Sequence, residues 1–284
     1  MKKVLLLCLL AITASNQAIP AGNRTTAGGR SFAMGGTSVA RDDIWSLVNN
    51  PAGTAFLRHA GAALSFENRF LLKELTCKQF GLAIPTRGGT FGIALFQFGN
   101  TQYNEIKAGV SYARKLGTHF AVGVRLDYIR IHLAGEYGNK NLATCEIGLF
   151  FRPDKHLCIG VHLVNPVPVK IARYPEELLP SVLCVGISYR FSDAFLADLE
   201  VEKDLVNPLM IRAGAEYRMA GPAYARIGIS TSPMTFTFGF GLAFRRIKLD
   251  VASGYHQALG FSPSGSFIYT FNEDKKSSSR AKEQ

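Results

Sequence analysis

Met234-Thr235-Phe236-Thr237-Phe238-Gly239-Phe240-Gly241-Leu242-Ala243-Phe244 decides the fold. Every even position in it is apolar, and every odd position is small or hydroxylated. A strand turns successive side chains to opposite faces, so a period of two marks a strand with two chemically different sides. The same alternation, interrupted by turn residues, recurs from Gly61 onward, and no amphipathic helix competes with it. Alternation alone fits two architectures. In a soluble sandwich the apolar side faces a core, whereas in a membrane barrel it faces lipid and the polar side lines the lumen.

The number of strands and their connections separate the two. Candidate strands begin near residues 61, 76, 89, 104, 118, 142, 156, 181, 193, 208, 222, 234, 246 and 265. Each runs about nine to thirteen residues, long enough to cross a bilayer when tilted. Tight turns are expected at residues 86–88, 116–117, 153–155, 192, 220–221 and 245. Longer connections at 70–75, 99–103, 134–141, 164–180 and 256–264 alternate with them. An outer-membrane barrel has this asymmetry, with short periplasmic turns, longer outer loops and both chain ends on the periplasmic side. The expected fold is therefore all-β, a transmembrane antiparallel barrel of about 14 strands with a short N-terminal plug.

Composition agrees with export and strands. Twenty-eight Gly, twenty Phe and ten Tyr in 284 residues favour β-structure. Lys2 and Lys3, an apolar run from Val4 to Ala14 and a small-residue exit from Ser15 to Ala18 read as a secretory signal over 1–18. Cys8 sits too early for a lipoprotein site, because Leu9 and Leu10 continue the apolar run behind it. No later segment reaches the ~18 uncharged apolar residues of a spanning helix. The remaining boundaries are a plug over 19–60, a barrel over 61–271 and a polar tail over 272–284. A net charge of +11 without a recognisable basic patch or fold gives no support for nucleic acid as a partner.

With the apolar set facing lipid, the inward row carries Arg125, Asp127, Asp198, Glu200, Glu202, Arg212, Glu216 and Arg218, together with Arg226, Lys248 and Asp250. Charges of both signs in a narrow lumen must pair, because an isolated buried charge costs several kcal/mol. The apolar phase moves from even to odd positions between Tyr128 and Arg130, which predicts a β-bulge there. Cys77, Cys145, Cys158 and Cys184 form no disulfide framework; they read as small apolar residues, with a Cys158–Cys184 bridge as the alternative. The histidines show no metal-ligand spacing, no nucleotide loop or nucleophile elbow is present, and His132 with Glu136 has no nucleophile beside it. Neither a cofactor, a metal nor catalysis is expected.

After the signal, the chain reads Gly28-Gly29-Arg30-Ser31-Phe32-Ala33-Met34-Gly35-Gly36-Thr37-Ser38-Val39-Ala40, then Asp42-Asp43-Ile44-Trp45-Ser46 and Asn49-Asn50-Pro51-Ala52-Gly53. This opening resembles that of the FadL-type barrels, and most nearly the PorV/PorQ branch of the Bacteroidetes. Residues 67–75 and 255–263 resemble a compact subgroup of that branch. The resemblance implies an outer-membrane barrel with a hatch built on Gly35, Gly36, Asn50, Pro51 and Ala52. Physically, the two glycines permit positive φ or close backbone approach, and Pro51 holds Asn50 extended. Without the resemblance, the same segment also reads as a loop packed at the periplasmic mouth.

Three functions follow: an accessory of type IX-like secretion or surface assembly, a FadL-like carrier of hydrophobic compounds, and a structural barrel. The charged, Gly-rich inward row counts against a carrier and favours the accessory role, with outer-membrane lipid and secretion or surface proteins as partners. The proline-stiffened loop at 164–175 is expected either to dock a partner or to fold over the mouth as a lid.

Overall fold

A computed structural model of the chain describes residues 25–134, 138–167, 169–172, 177–204 and 208–271. The expected signal peptide, the polar tail and Glu136 lie outside the described residues, as do parts of the 164–175 loop.

Along one side of the wall run β1 (Gly61–Asn68), β2 (Thr76–Pro85), β3 (Thr90–Gly99), β4 (Tyr103–Leu116), β5 (Phe120–Leu133), β6 (Gly138–Phe151) and β7 (Leu157–Val164). A long connection then carries a small hairpin, β8 (Lys170–Ala172) with β9 (Glu177–Leu178). The wall resumes with β10 (Val182–Arg190), β11 (Phe195–Asp204), β12 (Met210–Arg218), β13 (Ala223–Thr231), β14 (Met234–Phe244), β15 (Ile247–His256) and β16 (Gly260–Thr270). Leaving the hairpin aside, these strands form a closed antiparallel barrel in which each pairs with its neighbour in sequence, and β16 returns to β1 from Gly61 opposite Thr270 to Glu67 opposite Ser264. Gly61 and Thr270 thus share one end of the barrel, its terminal end; the opposite end is the loop end.

The wall is a two-sided surface. Val110, Leu126, Ile227, Phe240 and Val251 point outward at 58 to 69 % exposure. A predominantly apolar exterior band of this kind is stable only against hydrocarbon. Aromatic pairs border it at both ends. Phe91 with Tyr112 (5.0 Å between ring centroids) and Tyr189 with Phe191 (4.8 Å) lie toward the terminal end, and Tyr255 with Phe261 (5.1 Å) toward the loop end. Such girdles mark the two membrane–water interfaces of a barrel, where a flat amphipathic ring is best solvated.

Three sequence expectations are corrected. The pairing of β5 with β4 and with β6 continues without a shift through Tyr128, Ile129 and Arg130, so there is no bulge. Ile129 and Ile131 stay on the inward row, each 1 % exposed, while Tyr128 and Arg130 stay outside. What changes at this height is the lumen, which turns apolar. The 256–264 connection is only a turn, since β15 reaches His256 and β16 begins at Gly260. The loop asymmetry is accordingly concentrated in the 69–75 and 165–181 connections. β6 also starts earlier than expected, at Gly138, and its pairing with β7 stops at Glu146 opposite Val164. The β5–β6 hairpin therefore extends above β7, and Asn165, Val169 and Leu179 of the following connection lie against its inner side. Asn165 donates from its backbone to the Cys145 carbonyl (3.0 Å) and is buried.

Candidate functional site: a plugged and layered lumen

Residues 25–60, ahead of β1, fill the terminal half of the barrel. It holds two short helices, α1 (Gly29–Ala33) and α2 (Ser46–Asn49), and a 3-10 turn over Pro51–Phe56. Asn50 is extended (φ −167°, ψ 99°), as the residue before proline must be when it avoids the α region. Its side-chain amide donates to the carbonyls of Val39 (2.7 Å) and Leu149 (3.1 Å), tying the plug to itself and to β6. Gly35 and Gly36 have φ of 73° and 83°, and the Gly35 amide donates to Thr237 Oγ1 (2.8 Å).

The glycines of the inward row have a structural purpose. A Cβ at Gly123 or Gly148 would strike Asn50, Pro51 or Ala52; one at Gly160 or Gly186 would strike Val39; one at Gly214 or Gly228 would strike Met34 or Gly35. These residues form a belt around the wall that brings plug backbone against strand backbone. A side chain anywhere on that belt would hold the plug off.

Charged groups flank the belt on both its loop-end and terminal sides, and nearly every one is matched. Glu200 accepts from the amides of Ser38 (2.7 Å) and Val39 (2.9 Å) and from Arg212 (3.0 Å), which also donates to Glu202 (2.6 Å). Asp198 pairs with Arg41. Arg30 forms a bidentate pair with Glu216 (2.7 and 2.6 Å). Arg226 bridges Glu216 and Asp250 at 2.6 Å each. On the opposite wall, Arg125 binds Asp127 (3.0 Å), Glu146 and the carbonyl of Leu47 (2.7 Å), while Lys107 (2.6 Å) and His162 (2.9 Å) also reach Glu146. Lys248 lies inward at the terminal rim, exposed, as does Arg218. Apart from these rim cations, the lumen charges named here are committed to one another and to the plug.

The plug is held asymmetrically. Ion pairs and charged hydrogen bonds fix it on the β11–β15 side through Arg30, Ser38, Val39 and Arg41, and on the β5–β6 side through the Leu47 carbonyl with Arg125 and Asp42 with Arg152. Toward β1–β3 the fit is apolar: Ile44, Trp45 and Leu47 pack with Ala63 and Ala83, and Leu47 lies over Gly81 and Gly92.

Two cavities within the filling bear on function. One of about 30 Å³ lies between Val48, Ala94 and Val164 on one side and Lys107, Arg125, Glu146 and His162 on the other. That is room for water, not for an organic molecule. The second, about 230 Å³, is a vestibule at the terminal end, with Arg30, Asp43, Glu216, Arg226 and Asp250 among its lining. Toward the loop end the lumen closes on an apolar layer. Ile129, Ile131 and Leu179 are buried together, with Tyr103, Leu133, Leu142 and Val169 packed around them.

Sequence reasoning missed Arg30, Arg41, Lys107, Glu146 and His162. Glu146 was recoverable, because Thr144, Glu146, Gly148 and Phe150 share the inward parity of β6; the two plug arginines carried no periodic signal. Cys158 and Cys184 are free, and they face Ser188 and His162 respectively across the β7–β10 ladder, too far apart to bridge. Cys184, Glu200 and Glu202 do bring three donor atoms within 4.8 Å of one another. Arg212 already occupies both carboxylates, so that cluster is a salt-bridge centre.

No protein-family model matches this chain, and no curated protein sequence matches it. Solved structures do. The toluene transporter TbuX of Ralstonia pickettii superimposes with a TM-score of 0.68 at 14 % identity, over 88 % of this chain and 100 % of that one. A FadL homologue of Pseudomonas aeruginosa gives 0.66 at 11 %, over 87 % and 97 %. The toluene transporter TodX of P. putida gives 0.65 at 12 %, over 89 % and 100 %. The PorV/PorQ branch and a secretion role receive no support from these neighbours and rest on the short motifs alone. This chain has the closed fourteen-stranded barrel fold of the FadL-like outer-membrane proteins.

Proposed function

We propose that this protein is an outer-membrane barrel that admits small hydrophobic compounds, and that the structure is its closed state. The observation that carries the reading is the inward apolar layer of Ile129, Ile131, Leu133, Leu142 and Leu179 beneath the loop-end connection. A water-filled pore has no use for such a layer; a compound that partitions out of water does. The charges that count against a carrier in the sequence are consumed by pairs with the plug, so they do not line an open path. The three barrels compared above, two of them toluene transporters by name, support the same reading by analogy of fold.

Passage requires the plug to give way, since the cavity between the apolar layer and the plug holds about 30 Å³. The apolar β1–β3 side is where it yields. Sliding Leu47 and Trp45 over Ala63, Gly81 and Gly92 gives up the Arg125 bond to the Leu47 carbonyl but no ion pair, whereas release from β11–β15 breaks several.

The test is a binding measurement on the purified barrel. An apolar fluorescent probe should bind saturably and be displaced by toluene. Ile131→Asp should weaken probe binding at least tenfold, about 1.4 kcal/mol, because it places a carboxylate in the apolar layer. Equal affinity in a variant that still folds refutes the proposal.

A further inference from the structure

The terminal end of the barrel is strongly basic, and its charge is not spent on the fold. Arg87, Lys155, Arg190, Arg218, Arg245 and Lys248 are all exposed there. Asp154 and Asp193 are the exposed acids of that end among the described residues, and Asp193 shares the lining of the vestibule with three of the cations. Asp154 is turned into its own turn, accepting from the amides of His156 (2.6 Å) and Leu157 (2.9 Å).

Three of these cations differ from the rest in direction. Arg190 on β10, Arg218 on β12 and Lys248 on β15 end the inward rows of their strands and line the 230 Å³ vestibule. Each continues the parity of a buried inward group: Ser188, Glu216 and Asp250. None has a carboxylate partner among the described residues. Beneath them, the floor is an ion-pair network, Arg30–Glu216–Arg226–Asp250, that is already satisfied. Unpaired cations converging on one mouth repel each other, and the natural way to relieve that is an anionic partner held among them.

We infer that this vestibule docks an acidic, extended polypeptide segment of a protein partner on the terminal side of the membrane. Two features choose this occupant. First, β10 and β15 are five strands apart, which at ~4.8 Å per strand spans about 24 Å of wall. A single phosphate or carboxylate cannot bridge that distance, whereas about seven extended residues at ~3.4 Å each can. Second, the three side chains point into the mouth and away from the lipid-facing surface, where headgroups of the surrounding bilayer do not reach. A tyrosine, Tyr224, also lines the vestibule and offers apolar footing for the partner's intervening residues.

The full-length barrel, folded in a neutral detergent, is titrated against fluorescein-labelled octaglutamate, with octaglutamine and octalysine as controls, by fluorescence anisotropy. Saturable binding of octaglutamate alone is expected, falling steeply with salt. The triple variant Arg190→Gln, Arg218→Gln, Lys248→Gln should lose at least tenfold in affinity while keeping heat-modifiable migration, because these side chains hold no part of the fold. Arg87→Gln with Arg245→Gln should bind as the wild type does. Absence of saturable binding overturns the inference, and so does an unchanged triple variant. Loss confined to the Arg87 and Arg245 variant also overturns it, as does tighter binding to phosphatidylglycerol vesicles than to octaglutamate that the triple variant abolishes. That last result assigns the rim to lipid.

Discussion

If the glycine belt is what seats the plug, one added side chain should unseat it. At Gly148 a Cβ meets the Ala52 amide at 2.9 Å and Pro51 Cδ at 3.1 Å, besides Asn50 Oδ1. These are backbone and ring atoms of the plug, which cannot rotate aside. Gly148→Val therefore forces the 3-10 turn away from β6 or strains both. Overpacking of this kind costs about 1–3 kcal/mol. Charged against the seated plug, the same energy lowers the ratio of closed to open barrels by about 5–150-fold. Gly265→Val is the matched control, since a Cβ there meets only the Asp250 carbonyl, at 3.7 Å. Single-channel recording in planar bilayers reads the difference. The wild type and Gly265→Val should be silent or nearly so, whereas Gly148→Val should show frequent openings, and Gly123→Val should behave likewise. A silent Gly148→Val barrel that is also as heat-stable as Gly265→Val would refute close packing of plug against wall.

Deleting residues 27–54 should raise conductance from near zero to a porin-like level while the barrel still assembles, because strand pairing does not depend on the plug; a folded but silent deletion assigns closure to the loop-end layer. In intact membranes, Phe238→Cys should react with a lipid-phase maleimide and Thr237→Cys with neither that reagent nor a water-soluble one, since Thr237 is buried against Ala33 and Gly35. Glu200→Gln keeps the shape but removes the charge that accepts from Ser38, Val39 and Arg212, and should destabilise the barrel by roughly 1.5–3 kcal/mol, read as a lower midpoint for loss of heat-modifiable migration.

The strand content was legible because alternation is a local property. Phe236, Phe238 and Phe240 announce a face of their own in any window of five residues, and the repetition of that signal around the chain is enough for a two-sided wall. The polar parity of β11 likewise put Asp198, Glu200 and Glu202 on one side without reference to anything distant. Ile129 and Ile131 were misread for the same local reason. An apolar residue on the inward row is indistinguishable in sequence from a slipped register, and only the continuous ladder of β4, β5 and β6 shows that the row never changes side.

What the sequence by itself determined is thus the set of faces: which residues share a side of the wall, and that one side needs lipid. Partnership was decided by closure of the barrel. Arg30 meets Glu216 across 186 residues and Arg41 meets Asp198 across 157, and neither pair has any periodic relation in the chain. The glycines show the same division. Each reads alone as a weak strand position, and they become a seat only when the closed wall sets them at one height around a plug whose backbone must come that near. Short-range sterics write the first kind of information into the sequence; the second exists only once long-range strand pairing has fixed which side chains share the enclosed space.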